Sequence, residues 1–125
     1  MVVDDDAGTR FVLRMILERA GHQVVDARHG GAALDLLDPN ALPDVVITDL
    51  GMPILNGEEL IQRLRLDAST TTIPIVVVSA KSDAARALHS SGLVEGIVHK
   101  PFEPAELLEC VRAVTTSSAL RTRPA

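Results

Sequence analysis

The residues of this chain best suited to chemistry are Asp4, Asp5, Asp49, Ser79 and Lys100, and each follows a short apolar run. Asp4-Asp5-Asp6 comes after Met1-Val2-Val3, Asp49 closes Val45-Val46-Ile47-Thr48, Ser79 closes Ile75-Val76-Val77-Val78, and Lys100 follows Gly96-Ile97-Val98-His99. Runs rich in β-branched residues that stop abruptly at a polar group read as buried strands delivering that group to the lip of a sheet. An ionised carboxylate in such a position costs free energy unless it has a partner or a function. Two carboxylates about 4 Å apart repel by roughly 4 kcal/mol at an effective dielectric of about 20. Asp4, Asp5 and Asp49, once gathered, therefore either raise a pKa or recruit a cation. Oxygen donors beside an open loop carbonyl suit a hard, hydrated ion, Mg²⁺ above Ca²⁺. His22, His29, His89 and His99 are scattered without zinc-ligand spacing. A carboxylate beside Mg²⁺, with a lysine and a hydroxyl opposite, is an arrangement for phosphoryl transfer. Asp49 would attack in line, Mg²⁺ and Lys100 would neutralise the equatorial oxygens, and Ser79 would donate a hydrogen bond to one of them. Each residue also has a plainer reading: Asp49 as the cap of a following turn, Ser79 as a hydroxyl bonded to backbone, Lys100 as a surface lysine paired with Glu103.

Convergence of these groups depends on the elements that carry them. Met1-Val2-Val3 is a very short first strand, as expected of a trimmed start. Leu13, Ile16, Leu17 and Ala20 recur on one helical face, and Gly21 stands where a glycine ends a helix. Gln23 to Ala27 reads as a second strand. Gly30 to Leu37 reads as a helix with Ala33, Leu34 and Leu37 inward, stopped by Pro39. After the strand Val45 to Thr48 comes a helix over Gly57 to Leu66, with Leu60, Ile61 and Leu64 inward. Pro74 opens the strand Ile75 to Val78, whose unbroken apolar run suggests that both faces are covered. Ser82 to Ser90 is an Ala-rich helix, Gly96 to His99 the fifth strand, and Pro104 to Val114 the last helix, with Leu107, Leu108 and Val111 inward. Residues 115–125 read as a mobile polar tail or a truncated linker, leaving residues 1–114 as one domain. Five strands alternating with helices predict a parallel sheet between helical layers. Parallel strands point the same way, so all these polar groups fall at one edge, where such folds bind ligands.

Composition bounds the function. A length of 125 residues suits a single core, and 46% hydrophobic with 23% charged residues is ordinary for a soluble protein. No apolar run approaches the roughly 20 residues of a membrane span, and the start lacks a signal-like region, so the expected location is the cytoplasm. The single Cys110 agrees with a reducing compartment. A net charge of −5, with two Phe and no Trp or Tyr, offers nucleic acid neither a basic patch nor stacking surfaces.

Val2-Val3-Asp4-Asp5-Asp6, Asp49-Leu50-Gly51-Met52-Pro53 with Gly57, Ser79-Ala80 and Lys100-Pro101-Phe102 together resemble the receiver domain of two-component response regulators, over about residues 1–114. The resemblance implies an α/β, flavodoxin-like (βα)5 three-layer sandwich with strand order 2-1-3-4-5. It implies that Asp49 accepts phosphate from a histidine kinase or phosphotransfer protein. It also implies Mg²⁺ bound by Asp5, Asp49 and the Gly51 carbonyl, with Asp4 acting through water. Ser79 would be the switch hydroxyl and Lys100 the salt-bridge partner of the phosphate. Gly51 and Lys81 fall where relatives tune phosphate lifetime, and Arg10 where they often carry a basic residue, although a solvated helix residue is the simpler reading of Arg10. The output partner is not legible, and phosphorylation-dependent homodimerisation stays open.

The chain departs from the family pattern at Ile97, where relatives usually carry Tyr or Phe, so a readout through an aromatic rotamer cannot operate in that form. The stretch from Ser79 to Lys100 also looks rearranged, with an extra residue around Leu93-Val94-Glu95. Three rivals to the receiver reading fit the residues less well. A phosphatase of the haloacid-dehalogenase type needs a second Asp two residues after the nucleophile, where this chain has Gly51. A flavodoxin needs a phosphate loop where this chain has three Asp. A degenerate, docking-only receiver sits poorly with the intact set Asp4, Asp5, Asp49, Ser79 and Lys100.

Overall fold

The computed structural model describes residues 1–52, 54–80 and 82–122. Strands and helices alternate along the chain: β1 (Val2–Val3), α1 (Ala7–Arg19), β2 (Asp26–Ala27), α2 (Gly30–Leu36), β3 (Val46–Thr48), α3 (Gly57–Leu66), β4 (Ile75–Ser79), α4 (Ser82–Ser90), β5 (Gly96–His99) and α5 (Pro104–Thr122). The strands form one parallel sheet of order β2-β1-β3-β4-β5. This is the flavodoxin-like topology expected from the sequence. Alternate side chains of the central strands enter two separate cores. Val3, Val46, Ile75 and Val77 pack with Ala33, Leu60, Ile61 and Leu64 of α2 and α3 and with Ala85 and Leu88 of α4. Val2, Ile47, Val76 and Val78 pack with Leu13 and Leu17 of α1 and Leu107 and Val111 of α5. All five residues of β4 are buried, which explains its unbroken apolar run.

Local signals set most boundaries. Asp6 caps α1 by accepting from the Thr9 N–H, and the helix ends in a Schellman motif. There the N–H of Gly21, at φ 96°, donates to Glu18 O and that of His22 to Leu17 O. Asn56 and Glu59 form a capping box at the start of α3. Five expectations need correction. Ala20 is exposed at the C-cap rather than facing the core. β2 covers only Asp26–Ala27, and β3 starts at Val46, because β1 supplies no backbone further back for either neighbour to pair with. α2 stops at Leu36, with Leu37 as its extended C-cap. The last helix does not end at Val114: α5 runs to Thr122, since no Gly or Pro interrupts residues 105–122 and the Thr115 hydroxyl bonds back to Val111 O.

Candidate functional site

The acidic residues meet where β1 and β3 end side by side. Asp4 is 1% exposed, Asp5 lies open to solvent, and the Asp49 side chain is 16% exposed. One oxygen from each can be chosen such that all lie within 4.8 Å of one another. That is a hard, oxygen-only donor set of the kind Mg²⁺ prefers. The third Asp of the run does something else: the Asp6 carboxylate accepts from Thr9 N–H at 2.9 Å and Thr9 Oγ1 at 2.6 Å. Asp6 is thereby the N-cap of α1.

Lys100 reaches this cluster from β5. Its N–H donates to Ser79 O at 3.2 Å, which ties the β5 exit to the end of β4, and the peptide to Pro101 is cis. Lys100 Nζ donates to Asp4 Oδ2 at 3.0 Å and lies 3.5 Å from Asp49 Oδ2. Glu103, the alternative partner, forms no ion pair with it. Asp4 Oδ1 also accepts from the Asp6 N–H at 2.9 Å, and Asp49 Oδ1 from the Leu50 N–H at 2.7 Å. Burial pushes the Asp4 carboxyl above the ordinary carboxylate range; the Asp6 N–H and Lys100 offset this only in part, and Asp49 adds to the rise. Burial works against the Lys100 charge, but the hydrogen bond and attraction of Asp4, then Asp49, outweigh it and hold the ammonium above the usual lysine value. The cluster thus stores negative charge that one ammonium balances incompletely.

Other residues sit where the topology puts them. Ser79 is buried at the carboxyl end of β4. Gly51 is exposed just beyond Asp49, at the start of the β3–α3 loop. That loop is anchored by buried Leu50, Met52 and Leu55. Ile97 is half-buried and packs on the α2–α3–α4 core, where an aromatic swing has no counterpart. Lys81 lies outside the described residues.

The contacts of three residues at the site are not given by the sequence pattern. Arg10 is not merely solvated: its side chain is 21% exposed, donates to Asp4 O at 2.8 Å and stands 3.8 Å from Asp26. Nothing in the local sequence distinguishes it, since both partners belong to other elements. Gly57 is needed for close approach. Its N–H donates to Leu50 O at 3.0 Å, and a Cβ there would lie 2.0 Å from Asp49 O. Gly30 does the same for the other end of the loop, with its N–H on Leu55 O at 3.0 Å and a Cβ position 2.7 Å from that oxygen. Glycines opening two helices were the available signal for such contacts.

Comparison with known proteins agrees with this geometry. The family model for the response regulator receiver domain matches residues 1–112. The chain is 34% identical over 116 residues to the chemotaxis protein CheY1 of Helicobacter pylori, covering 91% of this chain and 94% of that one. It is 33% identical over 115 residues to the protein PilH of Pseudomonas aeruginosa, again with 91% and 94% covered. In fold it matches a CheY-like response regulator receiver domain protein from Methanospirillum hungatei with a TM-score of 0.85 at 21% identity, covering 96% and 94% of the two chains. Acidic ends of β1 and β3, a lysine bridging them and a parallel sheet of order 2-1-3-4-5 are thus found in a chain that belongs to the response regulator receiver domain family.

Proposed function

We propose that Asp49 is the phosphoacceptor of a signalling switch, supplied by a histidine kinase or a histidine phosphotransfer protein. The observation that carries this is Lys100 bridging Asp4 and Asp49 beside the open Asp5. An Asp49 oxygen attacks the phosphorus of a phosphohistidine. The P–O bond forms as the P–N bond breaks, and the imidazole leaves with the bonding pair. Asp5, Asp49 and the Gly51 carbonyl would hold Mg²⁺, with Asp4 acting through water. The ion supplies positive charge to the phosphoryl oxygens when bound. Lys100 moves its ammonium from the Asp carboxylates to the phosphoryl group, and Ser79 hydrogen-bonds another of its oxygens. The chain catalyses its own phosphorylation and hydrolysis in this reading, and its role is signalling rather than metabolism. Gly51 and Lys81, each two residues beyond a site residue in the sequence, would set the phosphoryl lifetime. Added charge on Asp49 biases the loops after β3 and β4 and the helix α4 between two arrangements. A cytoplasmic partner or a second copy of the domain reads that change, without an aromatic at Ile97. No helix among the described residues is long and apolar enough to cross a membrane.

Intact mass after incubation with Mg²⁺ and a small phosphodonor tests this. One added phosphoryl group is expected, and it is absent from Asp49→Asn and from EDTA-treated protein. No adduct on folded protein, together with no response of the amide spectrum to beryllium fluoride, would leave a docking-only receiver.

A further inference from the structure

Each polar atom of Asp4 has a partner. Its N–H donates to Ala27 O at 3.1 Å, and its Oδ1 accepts from the Asp6 N–H at 2.9 Å. Its Oδ2 accepts from Lys100 Nζ at 3.0 Å, and its main-chain oxygen from Arg10 Nη1 at 2.8 Å. Asp5 is the opposite case: it is exposed, and its carboxylate makes no hydrogen bond or ion pair among the described residues. The oxygen held by Arg10 belongs to the peptide group joining Asp4 to Asp5. That group is planar, so fixing its oxygen also fixes the Asp5 nitrogen and Cα. The next peptide, between Asp5 and Asp6, is held by the Asp4 carboxylate. Asp5 thus hangs between two tethered planes, and Arg10 holds one of them.

Local structure aims Arg10 at this oxygen. Its N–H donates to Asp6 O at 3.0 Å as the first turn of α1 closes, and helical side chains lean back towards the N-terminus. Its Nε stands 3.8 Å from Asp26 Oδ2 on β2. Asp26 also pairs with Arg14 at 3.5 Å, and Arg14 with Glu18. Arg10, Arg14 and Glu18 follow at four-residue spacing on one face of α1, so alternating charges lead from Glu18 to the Asp4 carbonyl.

We propose that Arg10 is a positioning residue for the acidic site: by holding the peptide between Asp4 and Asp5, it keeps the Asp5 carboxylate within reach of a Mg²⁺ shared with Asp49. This rests on the reading of the cluster as a Mg²⁺ site. The three carboxylates repel one another, so the exposed Asp5 would swing outwards were its backbone free. Arg10 is itself a cation, and its charge alone would weaken Mg²⁺ binding. The two roles therefore predict opposite signs when the guanidinium is removed. The geometry points to the first, since the donor is aimed at a carbonyl and not at a carboxylate of the cluster, while Asp26 partly balances its charge. Lysine carries the same charge without the rigid fork of donors that serves the carbonyl and Asp26 together.

Calorimetric titration of the parent chain, Arg10→Gln and Arg10→Lys with MgCl₂, alongside Tm, tests this. Arg10→Gln is expected to bind Mg²⁺ about tenfold more weakly, and Arg10→Lys about threefold. The lysine variant keeps the charge, so its loss reports position alone, and it carries the comparison if Arg10→Gln does not fold. In metal-free protein the ¹⁵N order parameter of the Asp5 amide should fall from about 0.85 to below about 0.6 in Arg10→Gln. Phosphodonor labelling of Asp49 should return to the parent rate as Mg²⁺ approaches saturation, because affinity is lost rather than chemistry. A lower Tm with unchanged Mg²⁺ affinity and an unchanged Asp5 order parameter would overturn the proposal. Tighter Mg²⁺ binding by Arg10→Gln would overturn it too, leaving Arg10 a charge effect only. A parent chain that binds no Mg²⁺ would instead overturn the reading of the site, and the Asp5 order parameter would then decide alone whether Arg10 holds the peptide.

Discussion

At the residue scale the site is a set of charges held in imperfect balance, and the buried Asp4 bears most of the cost. Its carboxyl is raised above the value an unfolded chain would give it, so in the intervening pH window the folded state binds more protons than the unfolded one. Stability contributed at this position therefore falls as pH rises from the ordinary carboxylate pKa through the raised one, and the ionised form is a net cost at neutral pH. Asp4→Asn, measured by thermal unfolding in EDTA, is expected to raise Tm at pH 7 and to flatten that fall. A lower Tm at pH 7 would mean that the Lys100 contact outweighs burial. Lys100 follows the same direction in a higher pH window: its raised pKa contributes stability below the unfolded lysine value that is lost as pH climbs through the folded one, so at neutral pH its charged form is a net gain rather than a cost. Close by, Ile54 adopts φ 68° with its side chain 82% exposed. A β-branched residue is strained in that region and gains little from burial there. Ile54→Gly is therefore expected to stabilise the fold by about 1 kcal/mol in denaturant titration.

At the element scale, loops tie neighbouring elements together through single residues. The start of α3 abuts the end of β3 only because Gly57 lacks a side chain. Gly57→Ala should cost about 2–3 kcal/mol in chemical denaturation and slow phosphodonor labelling of Asp49, because the Asp49 carbonyl must move aside. At the far edge of the sheet Arg65, near the end of α3, donates to Leu93 O, Thr71 O, Ile73 O and both oxygens of Glu95. Glu95 in turn accepts the Ile75 N–H at 3.2 Å. Through this clamp the stretch Leu93-Val94-Glu95 joins the entries of β4 and β5 to α3, with Val94 buried beneath. Arg65→Ala should destabilise by about 2–3 kcal/mol, leaving three carbonyls and a mostly buried carboxylate without their donor. Arg65→Lys should restore only part of it, since an ammonium cannot reproduce the fork of donors. Equal Tm values for Arg65→Ala and the parent chain would show that water replaces the clamp.

At the scale of the whole molecule, two cores share one sheet, and β4 feeds both. Ile61→Ala on one side and Leu107→Ala on the other should each cost about 2–5 kcal/mol and shift a single transition rather than split it. Separate transitions by far-UV and near-UV circular dichroism would refute this. Much of this architecture was legible in the sequence. Strands alternating with helices implied parallel strands, and parallelism alone places the ends that carry Asp49, Ser79 and Lys100 at one edge, without any distance. The start of α3 follows from the capping box of Asn56 and Glu59, because capping is local chemistry. What stayed hidden involves partners distant in sequence. That Lys100 chooses Asp4 and Asp49 over Glu103, that Arg10 braces Asp4 rather than solvent, and that Arg65 clamps Glu95 depend on which strands lie adjacent. The shortened β2 and β3 have the same origin, since a strand ends where its neighbour stops. The sequence by itself determined which elements form and which chemical groups they carry, because periodicity and capping act over a few residues. Only the tertiary structure decided which charges meet and how strongly burial perturbs them, because those depend on contacts across dozens of residues.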